Sequence, residues 1–199
     1  MMKKIILGFA IATTTLAACS LNSNKSKESQ NGSKDKQAIS QIDNATTSAA
    51  SDAKNTFSIK EIVNQYLQIK NALSNDNGKD AARAGNAFIE SMSKMDKTSL
   101  TSEKKKIWDD ISDDAKEMAE HIGKNADKLE HQREHFEMLS KDIYDLVKTF
   151  GSRQVLYKDF DPMYNNGKGA FWLSETKEIK NPYMGKSMLN SGSIKEEIK

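Results

Sequence analysis

The chain is poor in the residues that most often declare a chemistry. Of its 199 residues one is cysteine, two are proline, two are tryptophan and three are histidine. A single thiol, Cys19, excludes an intramolecular disulfide and a thiolate metal cluster. The prolines are Pro162 and Pro182, so no proline breaks a helix between Phe57 and Asp161. Long apolar runs are also missing. The stretch 5–18 is too short to cross a bilayer as a permanent helix. Charge of one sign is absent as well, with 30 basic against 28 acidic side chains. That balance gives no electrostatic case for nucleic acid or for an anionic membrane surface. No glycine-rich phosphate loop, nucleophile–base pair or zinc quartet is spelled out.

What is present begins with a leader. Met1 to Lys4 form a short basic segment, the apolar stretch follows, and Leu16-Ala17-Ala18-Cys19 resembles the lipobox of bacterial lipoproteins. The resemblance implies that residues 1–18 are removed and that Cys19 becomes the lipidated N-terminus, facing an extracytoplasmic space of a bacterial envelope. Lys3 and Lys4 leave with the leader, and the remaining 28 basic and 28 acidic side chains balance. Membrane attachment is then expected from the acyl chains alone. Residues 19–56 follow. From Ser20 to Thr56 the chain has no aromatic residue and only Leu21, Ile39 and Ile42 as large apolar side chains. It reads as a flexible tether, since it cannot bury enough surface to offset its ordering entropy.

Residues 57–199 read as one folded domain. Its first part has the 3.6-residue apolar period of helices. Ile59, Ile62, Val63, Tyr66, Ile69 and Leu73 make one stripe, and Ala81, Ala84, Phe88, Met92 and Met95 a second. Ile107, Trp108, Ile111, Ala115, Met118 and Ile122 make a third, with Ser102 and the acids behind it as N-terminal caps. Leu129, Phe136, Leu139, Ile143, Leu146 and Phe150 make the fourth, which Gly151 stops. The expected fold is all-α: an antiparallel four-helix bundle followed by an ordered C-terminal loop. In that loop Asn165-Asn166-Gly167-Lys168-Gly169 and Asn181-Pro182-Tyr183 are turn signals. Phe171, Trp172 and Leu173 are an apolar anchor for packing on the bundle.

The segment "DPMYNNGKGAFWLSETKEIKNPYMGKSMLNSGSIKEEI" resembles the signature of an uncharacterised bacterial domain family. Members occur as stand-alone envelope proteins and as a domain appended to heavy-metal (copper/silver) efflux adaptors. The upstream "HQREHFEMLSKDIYDLV" is similar to that family's Q-R-x-x-F-x-x-L-S helix. The resemblance implies a four-helix domain associated with copper handling. It also implies two cysteines, and this chain has Asp161 and Ser191 in their places. Met163 and Met188 stand at the family's methionine positions, and Met184 replaces a usual phenylalanine. Three thioethers beside a carboxylate are a donor set for Cu(I), because thioether sulfur is soft and forms no disulfide. Met163, Met184, Met188 and Asp161 are therefore the first metal candidates, with packing as their alternative role.

His131 and His135 stand one helical turn apart, with Met138 following, and form a second candidate set. A solvent-facing pair is the plainer account of them. The same residues spell H-x-x-E-H, but the domain is too small for the protease that motif serves. His121 borders the third stripe and joins a metal site only if the third and fourth helices are neighbours in the right register; otherwise it is a partly buried, hydrogen-bonded histidine. Met92, Met95 and Met118 read as core filling. Arg133 is placed to bond loop carbonyls or a carboxylate such as Asp161. Two functions follow as expectations. One is a non-enzymatic, lipid-anchored envelope protein that binds copper or serves heavy-metal efflux. The other is a metal-free module that recognises an envelope protein.

Overall fold

A computed structural model describes residues 57–199. The leader, Cys19 and the tether lie outside the described residues. Four helices come first: α1 (Lys60–Ser74), α2 (Gly78–Ser93), α3 (Ser102–Lys124) and α4 (Leu129–Phe150). Each packs on its neighbour in sequence, and α4 also meets α1. The apolar stripes face one another. Ile62, Val63, Tyr66, Ile69 and Leu73 of α1 are fully buried with Phe88, Ala115, Ile122, Phe136, Leu139 and Ile143. Burial of this kind contributes about 25 cal/mol per Å² of apolar surface, which is what offsets the ordering of the chain. The α3 cap sits one residue earlier than its sequence suggests: the Thr101 side chain accepts from the Lys104 amide at 3.3 Å. No helix among the described residues is long and apolar enough to cross a membrane.

The C-terminal part corrects the all-α expectation. It forms a three-stranded antiparallel sheet in the order β2-β1-β3, from β1 (Leu156–Asp161), β2 (Ala170–Ser174) and β3 (Ser193–Ile198). The physical reason lies in backbone pairing. The run Ala170–Ser174 is rich in the aromatic and bulky residues that suit a pleated surface. The connection before it carries Asn165 and Asn166, both left-handed with φ of 54° and 56°, which lets β1 fold back on β2 as a hairpin. β3 reads Ser-Ile-Lys-Glu-Glu-Ile and pairs on the open side of β1. A charged strand of this kind is suited to a sheet edge.

β2 seats the sheet on α1 and α4. Trp172 and Leu173 are fully buried, as the apolar anchor requires. The seam is also polar. Tyr66 lies 2.8 Å from Ser140 of α4, and its hydroxyl accepts from the Leu173 amide at 3.0 Å. Lys70, buried in α1, donates to Glu175 just past β2 at 2.7 Å. Arg133 is a hub: Nε donates to the Pro182 carbonyl at 2.9 Å, and the guanidinium pairs with Asp76 at 2.6 Å and with Glu130 at 2.8 Å. Its partners are thus a loop carbonyl and the carboxylates of Asp76 and Glu130, rather than Asp161. Gly185 closes on this hub with φ of 56°, and a Cβ there would lie 1.9 Å from the Asp76 Oδ1. Only glycine fits that approach.

Candidate metal centre

The turn between α3 and α4 sets the register of the two helices. Gln132, fully buried, donates from Nε2 to the Ile122 carbonyl and to the Gly78 carbonyl, both at 2.9 Å. One side chain thereby fixes the start of α4 against the end of α3 and the start of α2. On its other side α3 comes close to α2, where a Cβ at Gly85 would lie 2.9 Å from the Ala119 carbonyl oxygen. Ala115, Ala119 and Ile122 occupy the buried face of α3. The strip beside it, Met118 and His121, is turned toward α4. There it meets the strip beside the buried Phe136 and Leu139, which carries His131 and His135.

The result is a three-histidine cluster. His121, His131 and His135 each offer a ring nitrogen, and these atoms all lie within 4.8 Å of one another. His121 and His135 are stacked with ring centroids 4.1 Å apart. His131 stands edge-on to His135 at 4.4 Å. All three rings are partly exposed, so an ion can reach them from solvent. Burial holds the His135 imidazole below its usual pKa, and the neighbouring His121 and His131 push it the same way. That direction favours the neutral form of the His135 ring, the form that ligates metal. Carboxylates stand at the outer edges: Glu134 lies 3.5 Å from the His131 Nδ1, and Glu117 lies 3.9 Å from the His121 Nε2. Both contacts are longer than ordinary hydrogen bonds and join exposed groups. The thioether in contact with His135 is that of Met118, whose sulfur is 3.3 Å from Nδ1. Met138 is 39% exposed and lines a groove with Glu130, Glu134, Glu137 and Tyr164.

The loop candidates lie in the other half of the domain. Asp161, the last residue of β1, is fully buried and works as a clasp. Its Oδ1 accepts from the Met163 amide at 2.8 Å, and its Oδ2 accepts from the Asn181 side chain and from the Ser191 hydroxyl at 3.1 Å. The two positions that the resemblance gives to cysteines are therefore in direct contact, through a hydrogen bond. Asn181 continues the clasp, with its Oδ1 accepting from the Tyr183 and Met184 amides at 2.8 and 3.1 Å. Met163 and Met188 are 47% and 42% exposed, and Met184 and Met188 flank the short 3-10 turn Gly185–Ser187.

Residues 62–155 match the model of a protein family described as "Protein of unknown function (DUF3347)". The match supports the reading of an uncharacterised domain. It runs from within α1 to the residue before β1, so it takes in the helices and the histidine cluster and leaves the sheet outside. No curated protein and no solved structure matches the chain.

The sequence offers His131 and His135 as a secondary candidate pair and His121 only conditionally, and Met118, read there as core filling, does pack against the apolar core. A signal was available. In a helical hairpin, residues at equal distances from the turn lie side by side. Met118 and His135 are equally far from the middle of the connection between Lys124 and Leu129, and His121 and His131 nearly so.

Proposed function

We propose that this chain is a non-enzymatic metal-handling protein of the bacterial envelope, anchored through Cys19, and that its ion-binding site is the His121, His131 and His135 cluster. The observation that carries the reading is the approach of three imidazole nitrogens to within 4.8 Å of one another across two helices. Three imidazoles are a ligand set for a late first-row transition metal and leave a coordination position for water or a further donor. Copper is the metal that the family resemblance implies, and a heavy-metal efflux system is the corresponding partner.

The test is a titration of residues 20–199 with Co(II) and Zn(II), beside a His131→Ala/His135→Ala variant. One equivalent should bind the parent, with the intense visible bands of low-coordinate Co(II), and the variant should lose it. Absence of binding, or equal binding by both proteins, would overturn the reading. The domain would then stand as a metal-free recognition module, with the exposed Met163 and Met188 as part of its contact surface.

A further inference from the structure

We propose that Met118 is a fourth donor of this site and that the resulting three-nitrogen, one-sulfur set is built for a cuprous ion. The inference rests on the histidine cluster being a metal site. Its own observation is the Met118 sulfur 3.3 Å from the His135 Nδ1. On a tetrahedral ion with metal–nitrogen bonds of about 2.0 Å and a metal–sulfur bond of about 2.3 Å, neighbouring nitrogen and sulfur donors sit roughly 3.5 Å apart. The pair already has nearly the spacing of two donors on one ion.

The rest of the geometry agrees. Met118 packs against the apolar core and the imidazoles are partly exposed, so the sulfur would form the floor of the site. Glu134 lies nearest the His131 Nδ1 and Glu117 nearest the His121 Nε2, so the opposite nitrogens, Nε2 and Nδ1, would be the ones offered to the ion. His121 and His135 are stacked with their planes 5° apart, so one ring must turn to aim its lone pair at a shared ion. The χ2 torsion of histidine is broad, and the rings are not enclosed, so that turn costs little.

The donor set then chooses the metal. The donor set contains imidazole and thioether and no carboxylate or thiolate, so it brings no anionic ligand. Such a partly buried site compensates a single positive charge more easily than a double one, because no anionic ligand offsets the lost hydration. A thioether is a soft donor that favours Cu(I). Zn(II) takes imidazole, thiolate and carboxylate, so the sulfur adds little for zinc. Discrimination between Cu(I) and Zn(II) is thus assigned to one side chain.

The experiment uses the full chain carrying Cys19→Ser, which removes the competing thiol. Cu(I) affinity is measured anaerobically by competition with bicinchoninate, and Zn(II) affinity with a chromophoric chelator, for this protein and for its Met118→Leu variant. Leucine keeps the packing volume, and a urea melt checks that the variant folds. Met118→Leu should weaken Cu(I) binding by about 10- to 100-fold and leave Zn(II) within about twofold. X-ray absorption of the Cu(I) form should show one sulfur at about 2.3 Å that is missing in the variant. Unchanged Cu(I) affinity would overturn the proposal and return Met118 to core packing. Equal loss of Cu(I) and Zn(II) would overturn it too, since Met118 would then act only by orienting His135. If neither metal binds either protein, the metal reading itself fails.

Discussion

The helical part and the sheet share one apolar cluster but differ in how densely polar side chains are buried, since Lys70, Ser74, Ser112, Gln132, Arg133 and Ser140 are spread over the long helices α1, α3 and α4. The core of α1 to α4 is a continuous apolar cluster, with Ile62, Val63, Ile69, Phe88, Phe136 and Leu139 fully buried. The sheet and its flanks bury Trp172 and Leu173, but also Ser152, Asp159, Asp161, Ser174 and Asn181. Most of the buried side-chain atoms without a hydrogen-bond partner among the described residues lie there as well: both Asp159 oxygens, the Trp172 Nε1 and the Gln154 Nε2. Apolar burial is non-directional and tolerant, whereas buried polar networks depend on each member. The bundle should therefore absorb apolar substitutions, and the sheet should respond sharply to single polar ones.

Replacing Trp172 by alanine should break this division most severely. The loss of a fully buried indole from β2 costs about 3–5 kcal/mol. Urea unfolding followed by the fluorescence of Trp108, which is buried in the bundle, shows whether the loss crosses the seam. The Tyr66, Lys70 and Arg133 links predict that the Trp108 transition moves with far-UV circular dichroism as one cooperative step. A Trp108 transition left in place would mean that the sheet is an appendage.

Asp159 gives the next largest effect and concerns the sheet alone. Burial raises its carboxyl to about 7; the Lys70 ammonium pulls against this and Glu175 adds to it. The folded pKa thus stands above the unfolded value of 3.8, and between these two the folded state keeps a proton that the unfolded state releases. Stability from this group is full below pH 3.8, falls as pH rises toward 7, and is flat beyond. Asp159→Asn should remove that decline and gain about 2 kcal/mol on the parent between pH 4 and pH 8. Urea midpoints at both pH values measure it. Asp142 of α4 is also raised to about 7, by burial and by Asp114 and Asp145, so a slope of the same sign should persist in the variant. An unchanged slope in Asp159→Asn would mean that Asp142 of the bundle carries the pH dependence and Asp159 does not.

The smallest effect is expected from Met163, Met184 and Met188 changed together to leucine. Two of these side chains are strongly exposed, so stability should move by less than about 0.5 kcal/mol. Metal affinity should not move at all if the histidine cluster is the site. A loss of Cu(I) binding in this variant would return the site to the C-terminal segment.

The same contrast explains what could be read in advance. The helices were legible because their stripes repeat every 3.6 residues and Gly151 ends the last one. β1 was not, because Asp159 and Asp161 occupy its inward positions, where sequence alone leads one to expect apolar residues. β3 has almost no apolar pattern and exists through its pairing with β1. The Asn165-Asn166-Gly167 turn was read correctly as a turn, yet a hairpin needs a partner strand as well as a turn. In the candidate metal centre, the His131–His135 spacing lies within one helix and was plain. Met118 and His121 depend on the register between two helices, which Gln132 fixes by bonds to two separate backbones.

All the donors proposed for the ion lie between Met118 and His135, in one hairpin of adjacent helices. β1 must reach Ile198 and the 3-10 turn must reach Asp76, across much longer stretches of chain. Short loops close faster and at less entropic cost. An ion could therefore be caught by a chain whose last strands have not yet paired. Binding it would favour the hairpin over the open chain. Metal supply would then act on the order in which the domain assembles, and a nascent chain that met its ion would carry a nucleus onto which the sheet docks last.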